Sequence, residues 1–457
     1  MANKDVLELI GNTPIVEVKC FDIGQSRLYL KLENQNPGGS IKDRIALSMI
    51  EQAEKRGKNK PGDTLIEATA GNTGLGLALV AARKGYKLLL VIPDKMSREK
   101  IRHLKAMGAK IVMTRSDVEK GHPEYYQDYA KRLSQEIPNS YYIDQFNNPD
   151  NPLAHETSTG PEIWQQMNHQ VDAVAVGVGS GGTIGGLSQF FKKVSSQTEF
   201  VLADPKGSIL CDFVKSGKLG SAGSWLVEGI GEDFVPAMAD FSLVKASYTI
   251  SDEESFQTCR TLLMKEGILA GSSSGVLIAA AIRYAQDSKA PKNIVTFVCD
   301  SGNKYLSKLY NDQWLADHGL IVSNNLGDLR DLIVAKYDEQ AVVSVSRDDH
   351  IGTAYSRMKL YDISQLPVLE GDQIIGIIDE SDILLRVTSS NENAFTEKVE
   401  TCMSSDLVTV PPRSSIDTAV SILQKGLVVI VADENRFYGL ITRIDLLNYL
   451  RRQMKGQ

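Results

Sequence analysis

Cysteine is scarce in this chain and follows no pairing pattern. The 457 residues hold five, Cys20, Cys211, Cys259, Cys299 and Cys402, an odd number, scattered, with no C-x-x-C spacing. A disulfide framework is therefore not expected, and free thiols in a reducing compartment are. No run of 18 apolar residues occurs, which argues against a membrane-spanning helix. The opening Met-Ala-Asn-Lys-Asp-Val-Leu shows no apolar core of a secretory signal, so a cytoplasmic location is expected. Basic charge is not in excess either: 50 Lys and Arg stand against 57 Asp and Glu, interleaved, for a formal net charge of -7. Nucleic acid and membrane are accordingly not expected partners. No G-K-[ST] marks a nucleotide P-loop.

What is present is alternation. From residue 1 to about 310, short apolar runs bounded by glycine alternate with amphipathic patterns: Thr64 to Ala68 then Gly74 to Lys84, Leu88 to Ile92 then Arg98 to Met107, Val171 to Val178 then Ile184 to Val194. This predicts an α/β fold of parallel sheet covered by helices, with ligands at the carboxyl ends of strands. Near Trp314 the style changes, and a repeat follows. The stretch from Val343 to Ala354 lines up with Val408 to Ala419, and Gly376 to Asp382 with Gly439 to Asp445. The expected division is a catalytic domain over 1–311, a connector over 312–334, and two copies of one small unit over 335–390 and 391–457.

Three glycine-rich or turn-rich segments carry the chemistry. Asn36-Pro-Gly-Gly-Ser-Ile-Lys-Asp-Arg44 breaks a strand and opens a helix, placing Lys42 in the first turn. A cation there opposes the helix dipole, so the position costs stability and calls for a function. Glu67-Ala-Thr-Ala-Gly-Asn-Thr-Gly-Leu-Gly76 also runs from strand to helix. Its backbone N–H groups, with the hydroxyls of Thr69 and Thr73, suit a carboxylate. Gly177-Val-Gly-Ser-Gly-Gly-Thr183 satisfies G-x-G-x-x-G, a weak dinucleotide signal, and equally suits a phosphate at a helix start.

Taken together and in this order, these segments resemble the fold-type II pyridoxal phosphate enzymes, the cysteine synthase and cystathionine β-synthase family. The resemblance implies two parallel-sheet subdomains and pyridoxal 5'-phosphate joined to Lys42, which then serves as the base at Cα. It implies a phosphate cradle at Gly179, Ser180, Gly181, Gly182 and Thr183, and Asn72 on the cofactor's ring hydroxyl. It assigns Ser301, in Val298-Cys-Asp-Ser-Gly-Asn-Lys-Tyr305, to the ring nitrogen, where a neutral hydroxyl gives a moderated electron sink suited to replacement at Cβ. Thr69, Gly71, Thr73 and Gln145 fall to the substrate carboxylate, with Ala70 where a serine is often found.

Glu228-Gly-Ile-Gly-Glu-Asp-Phe234, including Gly229, resembles cystathionine β-synthases more than O-acetylserine sulfhydrylases. Phe146 stands where a tyrosine is common. His155 reads as a structural histidine. Serine's hydroxide leaves poorly, so acidic groups such as Glu228 and Glu232 are plausible near a serine-using site. The expected reaction is L-serine plus L-homocysteine giving L-cystathionine and water. The alternatives are a cysteine synthase using O-acetylserine or serine with sulfide, a serine dehydratase, or a non-catalytic adenine-nucleotide sensor. Haem is not expected, since no extension with a Cys and His pair precedes the motif, and no metal site is read. Each tail copy resembles a CBS domain, and the pair a Bateman module. Thr442 and Asp445 fit its ribose-binding pattern for S-adenosylmethionine or an adenine nucleotide. In the first copy Asp379 replaces the hydroxyl residue beside Asp382. A homodimer or larger homo-oligomer is expected from the resemblance.

Overall fold

Strands that read as unbroken apolar runs are buried on both faces, as parallel strands between helix layers must be. The computed structural model describes residues 5–69, 71–94, 98–118, 121–321, 326–389, 393–434 and 436–455, and the chain divides after Asn311 into two units.

In the first unit, β1 (Ile15–Val18) pairs antiparallel with β2 (Arg27–Leu32), and α1 (Lys42–Lys55) follows. Then come β3 (Thr64–Ala68), α2 (Asn72–Lys84), β4 (Lys87–Pro93), α3 (Arg98–Ala106), β5 (Lys110–Thr114), α4 (Tyr126–Glu136) and β6 (Ser140–Tyr142). The four strands β3 to β6 form a parallel sheet of order β5-β4-β3-β6. Its core packs Ile45, Met49 and Ile50 of α1 against Leu77 and Val80 of α2 and Leu65 and Leu90 of the strands. Gly76 lets the two helices close: a Cβ there would lie 3.0 Å from the Lys42 carbonyl oxygen and 3.1 Å from the Ala46 Cβ.

The chain continues through α5 (Asp150–Ala154), a π-helical turn His155–Thr159, α6 (Gly160–Gln166), β7 (Ala173–Val176), α7 (Gly182–Val194), β8 (Glu199–Pro205), α8 (Leu210–Ser216), β9 (Val244–Ile250), α9 (Asp252–Glu266), α10 (Ser272–Asp287) and β10 (Asn293–Val298). These strands join β1 and β2 in a six-stranded sheet of order β1-β2-β10-β7-β8-β9. In this order β2, β10 and β7 are parallel neighbours. Their carboxyl ends therefore deliver three segments distant in sequence to one place: Lys42 after β2, Cys299 after β10, and Gly179–Thr183 after β7. The run read as Val171 to Val178 is a shorter strand, because the Val178 carbonyl turns out to accept from Gly231 N at 2.8 Å.

In the second unit, α11 (Asp312–Asp317) precedes two similar halves. The first holds α12 (Ile351–Tyr361), the antiparallel pair β11 (Gln365–Glu370) and β12 (Gln373–Asp379), and α13 (Glu380–Ser389). The second holds β13 (Thr409–Val410), α14 (Ile416–Gln424), β14 (Val429–Ala432), β15 (Phe437–Ile441) and α15 (Arg443–Lys455). Leu329, Leu332 and Ile333, in the stretch read as a connector, are buried in the core of the second half with Val429, Val431 and Ile441. The repeat unit therefore borrows chain from upstream of where the sequence alignment begins. Among the described residues, no helix is long and apolar enough to cross a membrane.

Candidate active site

The Asn-Pro-Gly-Gly turn is held by a buried ionic network. Glu33, fully buried, accepts from Thr13 Oγ1 (2.6 Å), Asn36 Nδ2 (2.8 Å), Arg44 Nε (2.7 Å) and Arg44 Nη2 (2.8 Å). Arg44 also donates to Glu162, which takes a further bond from the buried Lys31 at 2.7 Å. Two cations thus neutralise two carboxylates. Burial works to raise the Glu162 carboxyl, and Arg44 followed by Lys31 overcomes this and holds it at about 2. Asn36 lies before Lys42 and Arg44 just after it, so the network clamps both sides of the lysine.

Lys42 opens α1 and lines a cavity with Asn72, Gly177, Gly179–Thr183, Gly229, Ile230, Ser273 and Cys299. The space is about 550 Å³ counting its open mouth. Burial lowers the lysine amine from its ordinary value, against the opposing pull of Cys299, Asp300 and Glu232. Opposite it, no side chain caps the start of α7, whose first-turn N–H groups have no partner within the helix. The backbone arrives there bare. A Cβ at Gly182 would sit 1.9 Å from Asn151 Oδ1, and one at Gly181, where φ is +86, would sit 2.7 Å from Ala239 N. An uncapped helix start with stripped backbone is what a phosphate group needs, and an amine whose neutral form burial favours is what an aldehyde needs. Pyridoxal phosphate fits both ends of this cavity.

Asn72 opens α2, its amide held by Asp300 and Lys304. Thr73 Oγ1 donates to Gln145 Oε1 at 2.7 Å, so β3 and β6, neighbours in the small sheet, bring these two together. Thr69 Oγ1 accepts from Gly71 N at 3.2 Å. Ala70 lies outside the described residues. Gly229 meets the phosphate loop directly, since a Cβ on Gly179 would lie 2.8 Å from its carbonyl oxygen.

Ser301 requires correction. The structure puts it away from the cavity, where its Oγ accepts from Asn303 N at 3.3 Å and its own N–H bonds to the Gly39 carbonyl at 3.2 Å. It lines a separate pocket with Pro37, Gly39 and Lys304. After β10 the chain sends Cys299 inward, and by residue 301 it has turned to pair with Gly39 and Ala270. Besides Ser180 of the glycine loop, the serine that lines the cavity is Ser273, at the start of α10. Sequence reasoning passed over it, although Gly271-Ser-Ser-Ser-Gly275 opening an apolar helix has the same glycine-flanked form as the other two clusters.

The acidic candidates part ways. Glu228 is bound by Lys100 and by Lys308, the latter at 2.7 Å; burial would raise its carboxyl, and these cations lower it. Glu232 is partly buried, its Oε1 3.9 Å from where a Gly179 Cβ would lie. Burial, then Asp233, push it up to about 8, with Lys42 opposing and Asp204 adding. His155 is fully buried, bridging Thr159 Oγ1 (2.9 Å) and Thr183 Oγ1 (3.3 Å), and burial with Lys42 and Arg44 nearby holds it well below its usual value. It is a neutral brace for the Gly179–Thr183 loop. Phe146 stacks at a tilt on Phe234, ring centroids 5.9 Å apart. Among the described residues no group of His, Cys, Asp and Glu could hold a metal ion.

In the second unit, Thr442 and Asp445 line a pocket of about 850 Å³ counting its open mouth, with Val334, Val343, Asp362 and Gln365. Asp445 Oδ2 accepts from both Thr442 Oγ1 (2.6 Å) and Thr442 N (2.7 Å). In the first half, Asp379 instead caps α13, accepting from Ser381 N and Asp382 N.

Comparison with known proteins agrees with this geometry. The family described as "Pyridoxal-phosphate dependent enzyme" matches residues 6–300, and the CBS domain matches residues 334–389 and 399–452. A protein named cystathionine beta-synthase from Apis mellifera is 35% identical, the match covering 98% of this chain and 90% of that one. An O-acetylserine dependent cystathionine beta-synthase from Bacillus subtilis is 42% identical over 66% of this chain and 96% of its own. The crystal structure of a hydrogen sulfide-producing enzyme from Fusobacterium nucleatum is 35% identical with a TM-score of 0.62, covering 67% of this chain and all of the other. The chain belongs to the pyridoxal-phosphate dependent enzymes, with a pair of CBS domains after its catalytic unit.

Proposed function

We propose that the chain condenses L-serine with L-homocysteine to give L-cystathionine and water. The observation that carries this reading is the meeting of the Lys42 amine and the bare Gly179–Thr183 helix start in one cavity. Pyridoxal phosphate, when bound, supplies the electron sink that acidifies the Cα–H of an amino acid. Ser180, Gly181, Gly182 and Thr183 would hold its phosphate, Asn72 its ring hydroxyl, and Ser273 its ring nitrogen in place of Ser301. Thr69, Gly71, Thr73 and Gln145, with the first-turn N–H groups of α2, would orient the substrate carboxylate. Burial favours the neutral Lys42 amine, which suits it to take the Cα proton. Glu232, protonated at neutral pH, is placed to hand a proton to a departing hydroxide. The names of the Apis mellifera and Bacillus subtilis relatives support cystathionine as the product.

A second reading keeps the product and changes the donor: the Bacillus subtilis relative is named for O-acetylserine, whose acetate leaves without proton assistance. Mass spectrometry of products from serine or O-acetylserine, each with homocysteine and sulfide in competition, separates them. Serine with homocysteine is expected to dominate. O-acetylserine faster by orders of magnitude would move the assignment to the second reading. For the tail we propose an adenosine-containing ligand, S-adenosylmethionine or an adenine nucleotide, in the pocket of Thr442 and Asp445. Titration calorimetry is expected to give binding that Asp445→Ala removes. We also propose that the enzyme works as a homodimer or larger assembly, which light scattering checks.

A further inference from the structure

Asn72 is a cavity residue whose orientation is decided by charged side chains outside the cavity. A side-chain amide has two faces, a carbonyl oxygen that accepts and an NH2 that donates, and only its neighbours choose between them. Here Lys304 Nζ donates to Asn72 Oδ1 at 2.5 Å and to the Gly39 carbonyl at 3.4 Å. Asn72 Nδ2 donates to Asp300 Oδ2 at 2.9 Å. Asp300 is fully buried, and Tyr305 fixes it by donating to the same Oδ2 at 2.9 Å. A charged lysine only donates and an ionised carboxylate only accepts, so the pair permits one amide orientation and forbids its flip. One N–H of Nδ2 is spent on Asp300, and the other is left for the cavity that Asn72 lines. Lys304 lines the neighbouring pocket with Pro37, Gly39 and Ser301, outside the cavity itself.

We propose that Lys304, working with Asp300, is a positioning residue that locks Asn72 with an N–H, and not its carbonyl oxygen, toward the cofactor's ring oxygen. The inference rests on the cavity holding pyridoxal phosphate with its ring hydroxyl at Asn72. A donor at that oxygen favours its deprotonated form, and an acceptor favours the protonated form. The titratable groups around the amide are Lys304, Asp300 and Lys100, with Asp43 beyond Lys304; burial lowers the Lys304 amine and raises the Asp300 carboxyl, and each draws the other back toward its charged form. Losing Lys304 removes the only cation bonded to Oδ1 among the described residues and leaves the amide held from one side, by Asp300.

The test is the absorbance of the bound cofactor across neutral pH in holoenzyme carrying Lys304→Met, Asn72→Ala, or both. Lys304→Met is expected to shift the spectrum toward the band of the protonated ring hydroxyl, to raise the pH at which that hydroxyl titrates, and to loosen cofactor retention roughly tenfold. In the Asn72→Ala background the same change is expected to add nothing. A Lys304→Met spectrum that superimposes on wild type overturns the proposal, and so does an equal shift with Asn72 already gone. Should the methionine variant not fold, Lys304→Gln is read in its place. It keeps an N–H donor without the charge, so the shift is expected in the same direction and smaller, and superposition on wild type again overturns the proposal. Wild-type protein showing no such absorption would instead remove the cofactor reading itself.

Discussion

Replacing Arg44 with methionine removes one cation from a buried set of two cations and two carboxylates and leaves the cluster with a net negative charge. Glu33 keeps its bonds from Thr13 and Asn36 but loses both guanidinium bonds, and Glu162 keeps only Lys31. Removing one partner of a buried pair costs about 3–5 kcal/mol, because the remaining charge stays out of water. Arg44 and Glu33 are at most 3% exposed, so water cannot enter to soften this, and the upper half of that range is expected. The assay is urea unfolding of the full chain, with and without cofactor. Acid provides a second check. The lowered Glu162 carboxyl adds stability above its unfolded value of 4.5 that is lost as pH falls through about 2. In the variant the Glu162 carboxyl, without Arg44, protonates at higher pH, so the deficit is expected to shrink from neutral pH toward pH ~4. Cofactor retention should fall as well, since the network clamps the turn before Lys42. A loss below about 1 kcal/mol would refute the claim that this network holds the turn.

Ser273→Ala is expected to change the bound cofactor's spectrum and to lower turnover, whereas Ser301→Ala should cost only a cap of about 1 kcal/mol and leave the spectrum alone; the reverse pattern would restore the original assignment. Gly182→Ala forces a Cβ against Asn151 Oδ1, so about 1–3 kcal/mol of stability and most cofactor retention should be lost, as measured by thermal melting and phosphate release on denaturation. Glu232 has a folded pKa of about 8, above its ordinary 4.5, so its ionisation penalises the folded state increasingly as pH rises between those values. Melts of Glu232→Gln should therefore match wild type near pH ~4 and exceed it progressively up to about pH 8. Over the same range, turnover with serine should fall in the variant far more than turnover with O-acetylserine, whose leaving group needs no proton.

Much of this molecule could be read from order along the chain. Apolar runs of strand length between amphipathic segments demand parallel sheet, and a lysine against the dipole of α1 demands a reason. Glycine clusters at strand ends marked two of the helix starts that the cavity uses, those of α2 and α7, because bare backbone is a property of the residue itself. Which hydroxyl enters the cavity was another matter. Ser273 and Ser301 each lie within two residues of a glycine, Gly271 and Gly302, and only the placement of β10 between β2 and β7 turns Cys299 inward and Ser301 out. The roles of the acids were likewise invisible, since Glu228 and Glu232 differ in whether lysines 128 and 80 residues away reach them. The amide of Asn72 is set by residues 228 and 232 positions further along. Local sequence determined the backbone conformation and the kinds of group available. Charge state, orientation and access depend on neighbours brought together only by long-range strand order, and the tertiary structure alone decided those.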